Sequence, residues 1–497
     1  MRLLITFISI YSISYAQQIF CKTVDEGSHD VGTSIIKTPS NEYIISGFLN
    51  GYDMEDGAII ALKSDFNVKF KGYRESPNYK EKLYKIKRLS NGKYIAVGES
   101  KGDFWVAIID TQYPYFISEY KIGDTISTGG KEIAYDVVEA VNGYIIVGQY
   151  YTSETETYAY MVKVDNNFNV VWRKAVRLSP GLSLDHNKAN AIIKTSDGNY
   201  VIIAYLYNVP FFMIKIDENG NTLWTKFYNS YAGEPYDILE ESNGSLIVTS
   251  FCYPNDLCIS KFNSNGDLIW TKSVEGSISQ RPYSIIKTFD LGYLVVGEVN
   301  NDGYIVKFDN NGNVQWTRTV GSSSTYDQLY DVVQTPDSGY LAVGRMGTNM
   351  LIVKLDKNGN TCAPCNIDTY GTAGFKNPQA INVSITTISP TIHSAYIDRF
   401  FTSNFGNPTP ICEATSISEL ENSQIYLNCK DKIIIKANIG YKFSAKIYNT
   451  NGILILKYDG VINNNEVYLD ISKLRKGNYL LELDLNGKKI RRYLCAY

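Results

Sequence analysis

Short apolar runs separated by turn residues fill most of this chain. The clearest example is residues 283–320, where runs rich in Val, Ile, Tyr and Trp alternate with breaks that carry Gly, Asn or Asp. Runs of this composition, bounded by such breaks, are typical of strands joined by tight turns. The segment therefore predicts four antiparallel strands, in the order YSIIKT, GYLVVGEV, DGYIVKFD and NVQWTRTV.

The same four-strand unit recurs along the chain. Seven copies align on the small residue that ends the second strand, at intervals of 46 to 56 residues: Gly47, Gly98, Gly148, Ala204, Ser250, Gly297 and Gly344. The fourth strand carries an equivalent tryptophan in four copies: Trp172, Trp224, Trp270 and Trp316. We expect these tryptophans to pack in the core or between units. A four-stranded unit repeated at this period is typical of a β-propeller. We therefore predict an all-β chain with a seven-bladed β-propeller over residues 17–360.

The seventh copy lacks its fourth strand. After residue 360 the sequence reads TCAPC, whereas residues 18–24 (QIFCKTV) match the fourth strand of the sixth copy (VQWTRTV). We expect this N-terminal strand to complete the seventh sheet and to close the ring.

Residues 1–16 resemble a leader rather than part of a fold. Arg2 precedes a short apolar run, and the small residues Ser14 and Ala16 stand just before Gln17. This pattern predicts a secretory signal peptide. Because every other apolar run is much shorter than the roughly 18 residues that a helix needs to span a bilayer, we expect no transmembrane segment in the mature chain.

All eight cysteines follow the predicted leader, so disulfides are permitted. If the N-terminal strand closes the ring, Cys21 lies near Cys362 or Cys365, and a disulfide there would lock the closure. Cys252 and Cys258 flank a short loop and can pair across that hairpin. Since the motif Cys362-x-x-Cys365 stands alone and the three histidines are far apart, we expect no metal site.

The net charge of −3, with 20% charged residues, provides no basic field for nucleic acid. We expect neither a nucleic-acid partner nor a cofactor.

Loop lengths distinguish the two faces of the predicted propeller. The turns between first and second strands and between third and fourth strands are short and uniform, whereas the loops on the opposite face vary in length. Variable loops on a rigid scaffold are where binding usually resides. The candidate ligand-binding residues lie on or next to these loops: Tyr52, Asp53, Tyr151, Asp185, His186, Tyr231 and Glu234. The alternative is that they are ordinary solvated polar side chains.

Three features suggest a chemical role, and each also has a structural explanation. The DxNGN turns at Asp217, Asp309 and Asp356 suggest calcium, but the same residues make good hairpin turns. Three aspartates that each follow a tyrosine can line the channel or accept hydrogen bonds from amides between blades: Asp136, Asp237 and Asp331. The pair Asp185-His186 resembles acid–base equipment, but no nucleophile motif accompanies it.

The composition changes after the repeats. Residues 361–415 are rich in Ser, Thr and Pro and form either a linker or an ordered extension on the propeller. Residues 416–497 contain about seven short apolar runs, which predict a small Ig-like β-sandwich.

Motifs in residues 416–497 resemble the C-terminal sorting domain of bacterial type IX secretion substrates, of the A type, from Bacteroidota. The matching segments are AKIYNTNG, LDISKL, GNY and the basic final strand. The residues that carry the motif are Tyr448, Gly452, Asp470, Gly477, Tyr479, Lys488 and Lys489. The resemblance implies that the type IX machinery recognises this domain and exports the protein through the periplasm to the cell surface or the medium.

Together these features favour an exported, non-catalytic binding or adhesion module whose ligand is a glycan or a protein. Two alternatives remain. One is a secreted polysaccharide hydrolase or lyase with its site on the propeller funnel, since paired carboxylates from different blades can meet there. The other is a passive structural protein of the cell surface.

Overall fold

The computed structural model describes the chain from residue 18 to residue 496 with short gaps. The gaps are residues 26–28, 51–54, 74–79, 111–114, 124–130, 154–155, 179–186, 207–208, 230–232, 253, 277, 322–324, 363–371, 377–378, 382–384, 389–408, 416–423, 429–431, 437–441, 450–453, 462–465, 471–476 and 486–487. The predicted signal peptide lies outside the described residues. The larger compact unit is Cys21–Ile411, and the smaller one contains Cys412–Tyr497.

The larger unit is built from antiparallel sheets of strands that follow one another in the chain. The strands of these sheets are β1 (Gln18–Val24), β2 (Val31–Lys37), β3 (Tyr43–Asn50), β4 (Glu55–Leu62), β5 (Val68–Tyr73), β6 (Glu81–Arg88), β7 (Tyr94–Ser100), β8 (Asp103–Asp110), β9 (Tyr115–Ile122), β10 (Lys131–Ala140), β11 (Gly143–Ser153), β12 (Glu156–Asp165), β13 (Val170–Leu178), β14 (Lys188–Lys194), β15 (Tyr200–Leu206), β16 (Val209–Ile216), β17 (Thr222–Asn229), β18 (Pro235–Glu240), β19 (Leu246–Cys252), β20 (Asp256–Phe262), β21 (Leu268–Glu275), β22 (Gln280–Lys287), β23 (Tyr293–Val299), β24 (Asp302–Phe308), β25 (Val314–Val320), β26 (Asp327–Gln334), β27 (Tyr340–Met346) and β28 (Asn349–Leu355).

Each four-stranded repeat forms one sheet with its strands in chain order. We number the sheets along the chain: sheet 1 is β2–β5, sheet 2 is β6–β9, sheet 3 is β10–β13, sheet 4 is β14–β17, sheet 5 is β18–β21 and sheet 6 is β22–β25. Sheet 7 contains β26, β27 and β28, and β1 is the hydrogen-bonded neighbour of β28. The N-terminal strand therefore takes the fourth place in sheet 7, as its match to β25 predicts.

The first strands of the sheets lie side by side. Strand β2 contacts β6, β6 contacts β10, and the series continues through β14, β18, β22 and β26, which contacts β2 again. We call these seven first strands the inner strands. Repeated four-stranded sheets whose inner strands touch in sequence are consistent with a β-propeller.

Neighbouring sheets also interlock farther out, through the tryptophans of the fourth strands. A Cβ atom built on Gly312 of sheet 6 lies 2.5 Å from the Trp270 ring of sheet 5, and one built on Gly266 lies 3.0 Å from Trp224. The same contact recurs between Gly220 and Trp172 and between Gly359 and Trp316. The turn glycine thus makes room for the preceding sheet's indole, and the tryptophans pack between sheets as the sequence predicts.

Two turns carry phenylalanine in place of this glycine, and in sheet 1 this residue is Phe66, with a positive φ of 63°. Phe168 occupies the position in sheet 3 with a positive φ of 63°. It stacks on Tyr120 of sheet 2, with ring centroids 3.9 Å apart. The contact between sheets 2 and 3 is therefore aromatic on both sides, whereas the four contacts described above use an indole and a glycine.

Residues after the repeats form three further strands on the outer edges of the sheets. They are β29 (Thr372–Lys376), β30 (Gln379–Ile381) and β31 (Ile385–Ile388). Strand β29 pairs with β21, β30 with β17 and β31 with β13, all antiparallel. The chain thus runs back across sheets 5, 4 and 3, and we call these three strands the belt. The described belt strands are thus hydrogen-bonded to sheet edges.

The smaller unit contains two antiparallel sheets. Its strands are β32 (Thr409–Thr415), β33 (Gln424–Asn428), β34 (Lys432–Lys436), β35 (Lys442–Asn449), β36 (Leu454–Val461), β37 (Glu466–Asp470), β38 (Gly477–Leu485) and β39 (Lys488–Ala496). One sheet has the order β32-β33-β34-β37 and the other β36-β35-β38-β39. Alternate residues of β35 are buried, namely Phe443, Ala445 and Ile447, as expected for a strand with one face toward a core.

The contact between turn glycine and tryptophan predicts a stability difference between two glycine variants. Gly312 and Gly198 both have a positive φ, of 77° and 85°. Only the Cβ of Gly312→Ala meets an indole, because nothing lies within 4 Å of a Cβ on Gly198. We expect Gly312→Ala to lower the free energy of unfolding by about 1–3 kcal/mol more than Gly198→Ala, the usual cost of overpacking. Denaturant melts of both variants test this, and equal losses would contradict the packing role.

The belt predicts a local change in amide exchange. Adjacent residues of a strand direct their N–H groups to opposite sides, so only one of Ala373→Pro and Gly374→Pro removes a hydrogen bond to β21. We expect the variant that removes the hydrogen bond to speed amide hydrogen exchange in β21 at least tenfold. The variant whose replaced N–H points away from β21 is the matched control. Unchanged exchange in β21 for both variants would show that the belt does not protect this edge.

Candidate functional site: the bulge ring

Every inner strand contains a β-bulge at the same place. The register between the first and second strands shifts by one residue opposite the small residue on which the repeats align, for example between Leu83 and Lys85 opposite Gly98. The bulged backbone comes very close to that glycine, since a Cβ on Gly98 lies 1.7 Å from the carbonyl oxygen of Lys82. Close backbone approach therefore favours glycine at this position, and sheets 4 and 5 carry the small residues Ala204 and Ser250 there.

The extra residue of each bulge stands on the inner strands. Five of these seven residues are tyrosines, and we call the set the bulge ring: Thr33, Tyr84, Tyr135, Asn190, Tyr236, Tyr283 and Tyr330. The five tyrosine side chains are all partly exposed. Neighbouring rings touch across sheets, with centroids 5.6 Å apart for Tyr84 and Tyr135. Thus the repeat places aromatic side chains next to one another around the inner strands.

In sheets 3, 5 and 7 the residue after the bulge is an aspartate that binds adjacent inner strands together. Asp136 Oδ2 accepts the N–H of Ile192 at 2.9 Å, which lies on the inner strand of the next sheet. Asp237 Oδ2 does the same with the N–H of Ile285 at 3.1 Å. Asp331 Oδ2 accepts the N–H of Ile35 at 3.1 Å and so joins sheet 7 to sheet 1. The aspartates thus accept hydrogen bonds from amides between sheets, one of the two roles expected from the sequence. The amides lie on strands rather than in the loops between sheets.

Two lysines of sheet 2 meet these aspartates. Lys87 Nζ lies 2.7 Å from Asp136, and Lys85 Nζ lies 3.4 Å from Asp331 on the far side of sheet 1. Burial opposes the charge of Lys85, but the carboxylates around it prevail and raise its pKa. Burial raises the pKa of Asp237, and Lys85 offsets only part of this effect. The three aspartates and two lysines thus form one cluster of opposite charges that connects the inner strands.

The tyrosine hydroxyls bond to polar side chains near the start of the inner strands. Tyr84 donates to Glu99 at 2.9 Å, and Tyr236 donates to Glu234 at 3.0 Å. Tyr135 donates to the side-chain oxygen of Gln149 at 3.2 Å. In sheet 7 the hydroxyl of Tyr330 donates to Gln328 Oε1, and Gln328 Nε2 donates to the oxygen of Tyr283 at 3.0 Å. These bonds fix the orientation of the rings.

Each carboxylate beside the ring also faces a cation. Lys131 Nζ lies 2.9 Å from Glu99, Lys188 Nζ lies 2.5 Å from Glu234, and Arg281 Nε lies 3.9 Å from Glu298. Glu298 in turn accepts the hydroxyl proton of Tyr326 at 2.8 Å. The polar groups around the bulge ring are therefore arranged as ion pairs bonded to tyrosines.

The ring tyrosines hold their protons strongly. Burial, followed by the charge of Glu99, raises the pKa of Tyr84 well above its usual value, and burial with Glu298 does the same for Tyr283. Burial raises the pKa of Tyr330 to about 12, although Arg345 acts in the opposite direction. At neutral pH these side chains therefore present neutral hydroxyl groups.

Two of the predicted ligand-binding residues belong to this site. Glu234 is the partner of Tyr236, and the hydroxyl of Tyr151 donates to Gln149 at 3.0 Å, beside Tyr135. The other five lie outside the described residues: Tyr52, Asp53, Asp185, His186 and Tyr231.

In the sequence a tyrosine precedes Asp136, Asp237 and Asp331, but the sequence analysis did not predict that this tyrosine is the extra residue of a bulge. The signal was available, because a tyrosine occupies the same place in LYK, AYD, PYD, PYS and LYD of five repeats.

The remaining chemical candidates have structural roles. Asp217 Oδ1 accepts the backbone N–H groups of Asn219 at 2.9 Å and Asn221 at 2.8 Å, and the turns at Asp309 and Asp356 repeat this pattern. These carboxylates therefore hold hairpin turns. Among the described residues no cluster of three or more His, Cys, Asp or Glu side chains is arranged to hold a metal ion.

The cysteines follow the expected pattern in part. Cys252 and Cys258 form a disulfide across the β19–β20 hairpin, as predicted. Cys21 and Cys362 are each disulfide-bonded as well, while Cys365 lies outside the described residues. The pairing that would lock the ring stays a prediction.

The sorting motif lies on strands of the smaller unit. Tyr448 is in β35, Asp470 ends β37, and Gly477 and Tyr479 open β38. Lys488 and Lys489 begin β39, whereas Gly452 lies outside the described residues.

Comparison with known proteins identifies the smaller unit. Residues 425–495 match the family described as the secretion system C-terminal sorting domain. This match supports a type IX sorting tail and indicates export to the cell surface or the extracellular space. No curated protein matches the chain. No helix among the described residues combines the length and the apolar character that crossing a membrane requires.

Several solved structures share a distant likeness. Sqt1 of Chaetomium thermophilum is 11% identical, with a TM-score of 0.43 over 72% of this chain and 88% of that chain. A protein of Lactobacillus plantarum is 10% identical, with a TM-score of 0.46 over 67% and 98%. The PQQ-bound aldose sugar dehydrogenase of Streptomyces coelicolor is 9% identical, with a TM-score of 0.37 over 55% and 93%. None of these likenesses bears on function.

The raised pKa of Tyr330 predicts its behaviour in alkali. A tyrosine in an unfolded chain ionises near pH ~10, whereas Tyr330 in the folded protein ionises at about 12. Its contribution to stability is therefore complete below pH ~10 and is lost as the pH rises toward the folded value. We expect the absorbance of tyrosinate in the protein and in Tyr330→Phe to rise identically up to about pH 11 while circular dichroism shows both folded. A difference below that pH would contradict the buried, hydrogen-bonded environment.

Proposed function

We propose that this chain is an exported binding module: a closed seven-bladed β-propeller that carries a ligand site at the bulge ring and is delivered by its C-terminal domain. The contact of β26 with β2 and the place of β1 beside β28 support a ring of seven sheets. We further propose that the smaller unit is an Ig-like sandwich of the A-type sorting family, from a member of the Bacteroidota.

The repeated tyrosine carries the functional proposal. A propeller needs only a bulge and a small residue at this place, because any side chain can occupy the extra position. Five tyrosines there, each partly exposed and oriented by polar partners, are more than the fold requires. Aromatic rings with a few fixed polar groups are typical of ligand sites, and they line the face whose loops vary most.

Binding fits the charges of the site better than acid–base catalysis does. A general acid in a glycoside hydrolase needs a carboxyl group that stays protonated near neutral pH. At the bulge ring Glu99 and Glu234 each accept a hydrogen bond from a tyrosine hydroxyl, and each also faces a lysine. The site therefore holds its carboxylates as fixed acceptors.

The bulge ring predicts the effect of a single tyrosine on binding. The full chain is screened against glycan and protein arrays, and the ligands found are titrated against Tyr283→Ser. We expect at least a tenfold loss of affinity, because the ring and its bond to Gln328 are removed. Phe289→Ser is the matched control, since Phe289 is 59% exposed in the β22–β23 turn at the other end of the same strand pair.

Three outcomes would contradict the proposal. One is that no ligand is found. Another is that Tyr283→Ser binds as well as the parent. The third is that the protein cleaves a polysaccharide and retains no affinity for it, which favours the hydrolase or lyase alternative.

A further inference from the structure

The bulge ring is interrupted at two places. Thr33 and Asn190 replace tyrosine in sheets 1 and 4, and both side chains turn toward the next sheet. Thr33 Oγ1 lies 2.6 Å from the carbonyl oxygen of Leu83, and Asn190 Nδ2 donates to that of Pro235 at 2.6 Å. Leu83 and Pro235 hold equivalent positions just before the next bulge. The two replacements therefore bind neighbouring backbone and leave gaps between the aromatic rings.

The gaps divide the tyrosines into two groups. Tyr236, Tyr283 and Tyr330 stand on successive sheets, with centroids 5.5 and 5.0 Å apart. Tyr84 and Tyr135 form the second group. Along the contacting inner strands, one gap separates the groups on each side. We call the groups the two walls, one of three tyrosines and one of two, and we call the line between them, from Thr33 to Asn190, the cleft.

The charge of the cleft is balanced. Each glutamate beside the walls is paired with a lysine or an arginine, at the distances given above. A nucleic acid needs unpaired cations for its phosphates, even where its bases stack on aromatic rings. A polyanion or polycation would have to break these pairs. The balance therefore favours a ligand without net charge.

The hydrogen-bonding capacity of the walls favours hydroxyl groups. Tyr84, Tyr135 and Tyr236 use their protons for Glu99, Gln149 and Glu234, and each phenolic oxygen keeps acceptor capacity. A sugar hydroxyl can donate to such an oxygen, while the C–H face of the sugar ring packs on the aromatic face. Because polar partners already fix the tyrosines, binding costs little side-chain entropy.

We propose, on the basis of the binding function above, that the ligand is a neutral oligosaccharide that lies in this cleft. The oligosaccharide passes between the two tyrosine walls. It leaves the bulge ring over Thr33 at one end and over Asn190 at the other. Once a ligand is bound to one wall, its contact with the second wall is intramolecular, so a ligand long enough to reach both walls binds more tightly. A disaccharide reaches one wall only.

Calorimetry with the full chain tests this inference. The probes are cello-, laminari-, malto-, manno- and xylohexaose with the corresponding disaccharides, and polygalacturonate, chitosan and a dT oligonucleotide represent charged ligands. We expect at least one neutral hexasaccharide to bind about tenfold or more tightly than its disaccharide. Tyr283→Ala and Tyr135→Ala, one in each wall, should each weaken that hexasaccharide at least tenfold, whereas Phe289→Ala should not.

Closing the ends of the cleft gives a second, independent measurement. Asn190→Tyr and Thr33→Tyr place a ring in each gap, and we expect them to weaken the hexasaccharide at least tenfold while the disaccharide keeps its affinity. Thermal melts identify a variant that fails to fold, and the disaccharide titration shows that the walls are intact. If one end variant does not fold, the other carries the test.

The outcomes separate this inference from the function it rests on. If only a charged probe binds and Tyr283→Ala abolishes that binding, the proposal of a neutral ligand is wrong. The proposal that the protein is a binding module still holds in that case. Equal affinity for disaccharide and hexasaccharide, or end variants that bind the hexasaccharide normally, would overturn the cleft. If no probe or array ligand responds to Tyr283→Ser, both proposals fail.

Discussion

The close approach of the bulged inner strand to a small residue is the constraint on which the rest of the larger unit depends. At Gly98 a side chain has no room, because the carbonyl oxygen of Lys82 occupies its place. The bulge that causes this approach adds one residue to the inner strand. That residue carries a partly exposed side chain, which is tyrosine in five sheets, and in sheets 3, 5 and 7 the next residue is an aspartate bonded to the following sheet. One backbone irregularity, repeated in each sheet, thus positions the tyrosines and these three bonds between sheets.

Contacts farther from the inner strands follow a second rule, in which neighbouring sheets have complementary shapes. Where a turn carries glycine, the preceding sheet presents an indole, as between Gly312 and Trp270. Where the turn carries Phe168, the preceding sheet presents Tyr120. At this boundary the change in the turn residue is matched by an aromatic ring on the preceding sheet.

The sequence predicted the parts of the structure that depend on local pattern. Repeated glycines and turn residues located the strands, and the match of residues 18–24 to β25 located the N-terminal strand beside β28. The hairpin disulfide of Cys252 followed from its short spacing to Cys258. The C-terminal motifs pointed to the sorting domain that the family comparison supports.

The bulge ring and the belt were harder to predict for physical reasons. A bulge changes which residue faces inward without changing composition, so period-2 alternation cannot show that Tyr84 is displayed. Contacts between Tyr84 and Tyr135 join residues from different repeats, which linear spacing does not reveal. The belt strands β29–β31 pair with edges that are distant in sequence, and a segment rich in Ser and Thr carries no pattern that indicates these partners. Ligand-binding candidates such as Asp185 came from loops that the described residues do not include.

The position of β1 beside β28 has a consequence for how the larger unit folds. The first strand of the chain finds its partner only when the last repeat is in place, so ring closure depends on a contact between segments at opposite ends of the unit. Contacts of such long sequence separation form slowly, since a large loop must close before they stabilise anything. The belt adds a further delay, because it needs the finished edges of sheets 5, 4 and 3 as templates. Before these strands pair, the edges of β28 and of sheets 3, 4 and 5 are exposed, and exposed strand edges are sites of aggregation.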